Sequence, residues 1–211
     1  RDFAAITQTS TTPILIAVTA SLPAKDVRAL AALARQRPGE LSYASQGNGS
    51  PGHLAGALFN SMNGVNTVHI PYKSTAQAIT DLTSGQVQMM YPSATSILPH
   101  VKAGRLRAVA IATRTRSALA PDIPTAAESG MPGFEAGIWN GVMAPAHTPQ
   151  IVIDKLHAAI AKIIQSPDVR ERILGMGADP VISTPAEFSA FIAAELKKWT
   201  KVIKDSGARM D

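Results

Sequence analysis

Apolar positions in this chain alternate between a two-residue and a 3.6-residue period, and each switch marks a strand handing over to a helix. Over residues 41–53, Leu41, Tyr43 and Ser45 keep the strand period, Gly47, Gly49 and Gly52 open the backbone, and the run from His53 to Phe59 takes up helical spacing. Ser50 has the chemistry of an N-cap, Pro51 suits the first helical position, and Asn63 with Gly64 closes the helix. The same pattern recurs on either side. Residues 13–20 predict an apolar strand broken by Ser21, Leu22 and Pro23. Residues 26–37 then carry Val27, Leu30, Ala31 and Ala34 at helical spacing before Pro38 and Gly39 stop them. Residues 65–70 predict a short strand ending in Pro71, Tyr72, Lys73, Ser74 and Thr75. Ser74 or Thr75 would cap a helix over 76–84, with Ala78, Ile79 and Leu82 inward and Gly85 at its end. Residues 87–91 predict another strand, which runs into the hydroxyl-rich turn 92–96.

Residues 106–113, LRAVAIAT, read as a strand buried on both faces of a parallel sheet. A proline-rich loop over 121–134 follows, then a strand over 136–144 crossing back to other structure. Beyond Pro149 the pattern is helical: 150–165 is amphipathic through Val152, Leu156, Ile160 and Ile163, and Ser166, Pro167 and Asp168 restart a shorter helix to about Leu174. Thr184, Pro185, Ala186 and Glu187 form a capping box opening a long helix to about Asp205. Strands alternating with helices argue for an α/β layer architecture, in which ligands sit beyond the carboxyl ends of strands. Residues 1–10 have no capping element and read as the interior of something longer.

At 211 residues and 45% hydrophobic, the chain can build one large domain or two lobes with real cores. Zero cysteine excludes disulfides, thiolate metal sites and cysteine nucleophiles, and no apolar run reaches the roughly 18 residues of a membrane span. The net charge of +5 is unevenly placed, with Lys102, Arg105, Arg107, Arg114 and Arg116 in a stretch free of acids. With aromatics at 5%, this is a solvated basic face that attracts small anions or an acidic partner, not a nucleic-acid stripe.

A glycine turn opening a helix gathers N–H groups and the positive end of a dipole, which suits a carboxylate, sulfate or phosphate. Gly47 to Gly52 also fits the dinucleotide pattern G-x-G-x-x-G, so a nucleotide-dependent enzyme is the rival reading. The acid that should hold a ribose is missing, because Ile70, Pro71, Tyr72 and Lys73 stand there and the next carboxylate is Asp81. A third reading has the glycines simply making a tight turn. His53 suits either anion contact or a structural hydrogen bond, and Tyr72 with Lys73 could offer a phenol and a charge. Ser45 and Ser50 near His53 lack a G-x-S-x-G elbow and an orienting acid, so they make no hydrolytic triad. His69, His100, His147 and His157 fall on different elements without metal-ligand spacing. Trp139 reads as a packing residue, Asp81 as a helix surface charge and Asp122 as a turn former.

Taken in order, DFAAIT from Asp2, LSYASQGNGSPGHLAG from Leu41, VHIPYKS from Val68, LTSGQVQMM from Leu82, LPHVKAGRLRAVAIAT from Leu98, LAPDIPTAAESGMPGFEA from Leu119 and WNGVMAPAHTP from Trp139 resemble a known family. It is the Bug family, the periplasmic solute-binding proteins of tripartite tricarboxylate transport systems. The resemblance implies a type II periplasmic-binding-protein-like α/β fold: one complete lobe plus the C-terminal part of a second. Residues 1–11 would be a crossover from the first lobe, whose N-terminal part is missing here, 12–135 the complete ligand-binding lobe, and 136–211 the return strand and C-terminal helices. It further implies a periplasmic receptor rather than an enzyme, without cofactor or metal. Such a receptor captures a di- or tricarboxylate or an amino acid for membrane subunits, and a homodimer through the incomplete lobe is an alternative use of this chain. The matching ligand-binding positions are Ser45, Gln46, Gly47, Asn48, Gly49, Ser50 and His53 at the first corner, Tyr72, Lys73, Ser74 and Thr75 at the second, and Ser93 and Thr95 at the third. Ser74 stands where the family commonly has glycine, adding a hydroxyl or narrowing the pocket.

Overall fold

The computed structural model describes residues 2–208; Arg1 and residues 209–211, the outer ends of the expected segments, lie outside the described residues. In chain order the elements are β1 (Phe3–Pro13), β2 (Leu15–Thr19), α1 (Val27–Gln36), β3 (Ser42–Ser45), α2 (Pro51–Asn63), β4 (Val68–Pro71), α3 (Thr75–Ser84) and β5 (Met89–Met90). There follow α4 (Ala94–Lys102), β6 (Leu106–Ile111), β7 (Gly137–Pro145), α5 (Gln150–Gln165), α6 (Pro167–Gly175), β8 (Asp179–Pro180) and α7 (Pro185–Ser206). They form two compact units. One holds the chain up to Thr12 and Ile138–Thr200; the other holds Pro13–Gly137 and the end of α7 from Lys201.

The larger unit is organised on a five-stranded sheet of order β4-β3-β5-β2-β6. Every residue of β2 is buried, as its unbroken apolar run requires of a strand covered on both faces. β3 pairs in parallel with β4 and with β5, whereas β2 runs antiparallel to both β5 and β6. Parallel pairing needs crossovers, which α2 and α3 supply between successive strands. Leu15, Ala17, Ala44, Ala78, Leu82, Met90 and Ile111 pack one side of the sheet into a core. Each of the leucine, methionine and isoleucine side chains among them contributes roughly 1.5–3 kcal/mol by leaving water.

Local chemistry sets the helix ends where the sequence places them. Asp26 caps α1 by accepting the Ala29 N–H at 2.8 Å, and Ser50 caps α2 by accepting the His53 N–H at 3.3 Å. Gly64 and Gly85 end α2 and α3 in the left-handed region. Strand bounds move more. The expected strand from 65 begins only at Val68, because Asn60 holds the preceding turn by accepting the Thr67 N–H and Oγ1–H and donating to the Thr67 carbonyl. The strand expected over 87–91 narrows to Met89–Met90.

The apolar strand expected at the heart of a parallel sheet is instead the edge strand β6, antiparallel to β2. The proline-rich loop covers its outer side: Ile111 N–H donates to the Pro124 carbonyl at 2.9 Å and Ala126 N–H to the Ile111 carbonyl at 2.9 Å. An edge hidden by loop backbone stays as apolar as an interior strand. The basic stretch is also less free than its sequence implies. Arg107 donates to the carbonyls of Ala20, Leu22 and Ala24, Arg114 pairs with Glu135, and Arg116 pairs with Glu128. Its acids come from the loop, out of reach of a local charge count.

The smaller unit has a three-stranded sheet of order β7-β1-β8. Residues 3–13, which showed no regular signal, form its central strand. Ile6, Ala144 and Ile153 make its core with Ala4 and Ile160. Trp139 packs edge-on against Phe188 and Phe191 with ring centroids 5.7 and 5.5 Å away, the packing role expected of it. The capping box forms as spelled: Thr184 Oγ1 accepts the Glu187 N–H and Glu187 accepts the Thr184 N–H. The Thr184 N–H and hydroxyl, both donated to its carboxylate, hold the Glu187 carboxyl below its usual range. On α5, however, Ile153 and Ile164 are the buried residues, whereas Val152, Leu156 and Ile163, expected inward, are exposed. The helix is apolar on more than one face, and only one face meets this unit's sheet.

Candidate functional site

Because β4, β3 and β5 run parallel and adjacent, their carboxyl ends open on the same sheet edge. Ser45 is in register with Pro71 and Ala44 with Met90, so the three strand-to-helix corners predicted from sequence stand side by side. The first corner meets both neighbours. Tyr72 N–H donates to the Ser45 carbonyl at 3.0 Å, and a Cβ on Gly52 would sit 3.0 Å from the Tyr91 carbonyl and 2.9 Å from Gln46 Oε1. Only glycine lets the start of α2 approach so closely.

The inner bonding of the glycine turn differs from expectation. Its amides are largely committed within the corner. Gly47 N–H donates to Ser45 Oγ at 3.1 Å, Gly49 N–H to His53 Nδ1 at 3.0 Å, and Ser50 N–H to the Gly47 carbonyl at 3.3 Å. Ser50 Oγ–H donates to the same carbonyl at 2.7 Å. Gly47 and Gly49 adopt φ of 112° and 73°, a conformation that L side chains rarely take. Small hydroxyls and an imidazole nitrogen thus satisfy donors that the sequence pattern left open for a ligand. Ser45 is buried, His53 is 8% exposed, and Gln46 and Asn48 are exposed at the rim.

His53 lies flat on His69, with ring centroids 3.8 Å apart and planes 3° off parallel. Sequence reasoning placed His69 among the scattered histidines, yet its Nε2 lies 2.6 Å from Ser45 Oγ. The signal that would have found it is strand register: Tyr43 and His69 are partners on adjacent parallel strands, their rings 5.1 Å apart. Burial disfavours the charged imidazolium and lowers both pKa values. For His69, desolvation is joined by repulsion from His53, and the value falls to about 4.

The second and third corners are built differently. Ser74 and Ser93 occupy the N-cap positions of α3 and α4, but neither side chain caps its helix. Ser74 and Lys73 are exposed, Thr75 is half-buried, and Ser93 Oγ lies 3.2 Å from Thr95 Oγ1 and donates to Ser96 Oγ at 3.1 Å. The first turns of these helices therefore lack a side-chain cap, although the Ser96 N–H donates to the Ser93 carbonyl at 3.2 Å. Tyr72 turns away from this rim: its hydroxyl donates to Asp81 Oδ2 at 2.8 Å, and burial followed by that bond raises its pKa to about 12. Asp81 is thus a tether as well as a helix charge. One cavity of about 440 Å³ lies beside Arg107 and Ala20, and another of about 390 Å³ beneath α2 is lined in part by His53 and His69. Among the described residues, no three His, Asp or Glu side chains gather as a metal site.

Aligned anion-favouring corners on an α/β sheet fit a small-solute receptor, and the comparisons with known proteins decide the family. The model described as tripartite tricarboxylate transporter family receptor matches residues 1–208. The chain belongs to this family. Among curated relatives, it is 37% identical over 96% of its length to the UPF0065 protein in the tcbD-tcbE intergenic region of Pseudomonas sp. (strain P51). It is 35% identical over 99% to Protein BugT of Bordetella pertussis. It spans 61% and 64% of those two relatives. Among solved structures, R. palustris Rpa4515 with adipate superposes with TM-score 0.77 at 35% identity, covering 99% of this chain and 70% of that one. A TctC solute binding protein from Polaromonas reaches TM-score 0.89 at 26% identity, covering 97% and 70%. MatC from Rhodopseudomonas palustris with bound malate gives 0.73 at 29%, covering 95% and 69%. This tripartite tricarboxylate receptor family is one of solute-binding receptors and not of enzymes, so the nucleotide-enzyme reading of Gly47 to Gly52 is set aside.

Proposed function

We propose that this chain is the carboxylate-capturing part of a periplasmic receptor. Its solute is a di- or tricarboxylate or an amino acid, passed to the membrane subunits of a tripartite tricarboxylate-type transporter. The observation that carries the proposal is the alignment of three strand-to-helix corners on one sheet edge, two of them with uncapped helix starts. Uncapped first-turn amides and the hydroxyls of Ser74, Thr75, Ser93 and Thr95 match an anion that accepts hydrogen bonds but donates none. The relatives Rpa4515 and MatC, solved with adipate and with malate, support a carboxylated solute. In this reading Ser45, Gly47, Gly49, Ser50 and His53 shape the rim from within, while Gln46, Asn48 and Lys73 face the solute from outside. Calorimetry and thermal-shift measurements against adipate, malate, citrate and glutamate test it. Saturable heat with at least one supports capture, and silence with all counts against it.

A second reading rests on the exposed stripe Ile151, Val152, Leu156 and Ile163 of α5, which is apolar enough to pair with another copy of the chain. Light scattering after size exclusion separates the two, since a strict monomer at high concentration removes the homodimer.

A further inference from the structure

We propose that His53 and His69 form a proton-operated clamp on the turn at residues 47–50: with both rings neutral the turn is held, and a proton on the pair releases it. The proton positions follow from the bonding. His53 Nδ1 accepts the Gly49 N–H at 3.0 Å, so the ring proton of neutral His53 is on Nε2. His69 Nε2 lies 2.6 Å from Ser45 Oγ, which also accepts the Gly47 N–H at 3.1 Å. Both glycine amides of the turn therefore end, directly or through one hydroxyl, on an imidazole. A proton arriving at His53 Nδ1 sets a donor against the Gly49 N–H, and that bond cannot survive.

The two rings cannot be treated apart. Stacked at 3.8 Å, they would hold two positive charges face to face, so the pair takes up its first proton well before its second. The groups packed around it are these. From β3, the Tyr43 phenol donates to the His53 carbonyl at 3.4 Å, and its pKa is raised by burial, so it stays neutral. From β5, Tyr91 packs edge-on against Tyr43 and is likewise raised by burial. From α2 come the uncharged Asn60 and Ser61, from the turn before β4 the uncharged Thr67, and from the end of α7 Asp205. Asp205 lines the same cavity and pairs with Lys201, the one carboxylate facing the pair among the described lining residues. Burial holds both histidines below their ordinary range, joined at His69 by repulsion from His53.

One consequence rests on the proposed function: a freed Gly49 amide beside an imidazolium gives a carboxylate two more donors, so capture tightens in acid. The clamp itself is tested without a solute. In the 211-residue chain, amide and imidazole resonances are followed as pH falls from about 7 to about 4. The expected result is that the Gly49 amide shifts and loses exchange protection with the same midpoint as the His53 ring, while the β2 amides stay still. A Gly49 amide that ignores the ring titration overturns the proposal. His53→Gln, checked for native circular dichroism, removes the facing ring and should raise the His69 midpoint; an unmoved midpoint also overturns it. Adipate titrated at pH 7 and pH 5 tests the consequence. About tenfold tighter binding at the lower pH supports it, whereas clamp behaviour intact without adipate binding at either pH counts against the solute reading alone.

Discussion

The β3–α2 corner and its two neighbours share one sheet edge but use their polar groups in opposite ways. At the first, Ser45, Ser50 and His53 turn inward and satisfy the turn's own amides. At the other two, Ser74 and Ser93 hold N-cap positions but their side chains make no cap bond to the helix starts. The glycine-rich corner, the most conspicuous anion motif in the sequence, is thus the more self-contained one. The plainer corners are those whose N-cap hydroxyls leave the helix starts without a side-chain cap. A glycine turn permits close approach of backbone; it does not by itself leave amides free.

Substitutions can break this contrast, beginning with the largest effect. Gly56→Ala on α2 would place a Cβ 2.2 Å from the buried Tyr43 ring. Helix propensity favours alanine by about 1 kcal/mol, but overpacking at such a distance reaches the top of the about 1–3 kcal/mol range or beyond, so a net loss of stability is expected in urea unfolding. Acid comes next. Folded His69 titrates near 4, below the unfolded value of 6.5, so the unfolded chain binds more protons between them. Stability is then complete above about pH 6.5 and declines as pH falls toward 4, and Tm should drop by a few degrees over that window. His69→Gln should flatten the decline.

Ser50→Ala removes the cap that holds His53 N–H and should cost about 1 kcal/mol, measured by the same unfolding curve. The smallest stability effect sharpens the comparison most. Ser74→Ala and Ser93→Ala, which delete no cap bond, should change stability by less than about 0.5 kcal/mol. In calorimetry the same pair should weaken carboxylate capture severalfold. Equal stability losses at Ser50, Ser74 and Ser93 would erase the distinction between the corners.

Much of the fold was legible because it is written in short-range chemistry. Asp26, Ser50, Gly64, Gly85 and the Thr184–Glu187 box act within a few residues, and each stands at the predicted helix end. The candidate corners were legible for the same reason, as was their order along the chain. What each corner does was not. His69 lies on a different element from His53, and the parallel register of β3 with β4 brings its ring against the first corner. The inward face of α5 could not be chosen from a helix apolar on several sides, and the basic stretch gave no hint of Glu128 and Glu135 across the loop.

The amino-acid order alone determined where strands yield to helices, that their ends carry small hydroxyls and glycines, and which family the motifs resemble. Those are properties of neighbours along the chain, where caps, turns and periodicity act. Tertiary structure decided which strands lie side by side, which amides are consumed within a corner, and that two remote histidines stack. Such pairings are settled by burial and register between distant segments, which a local pattern does not encode.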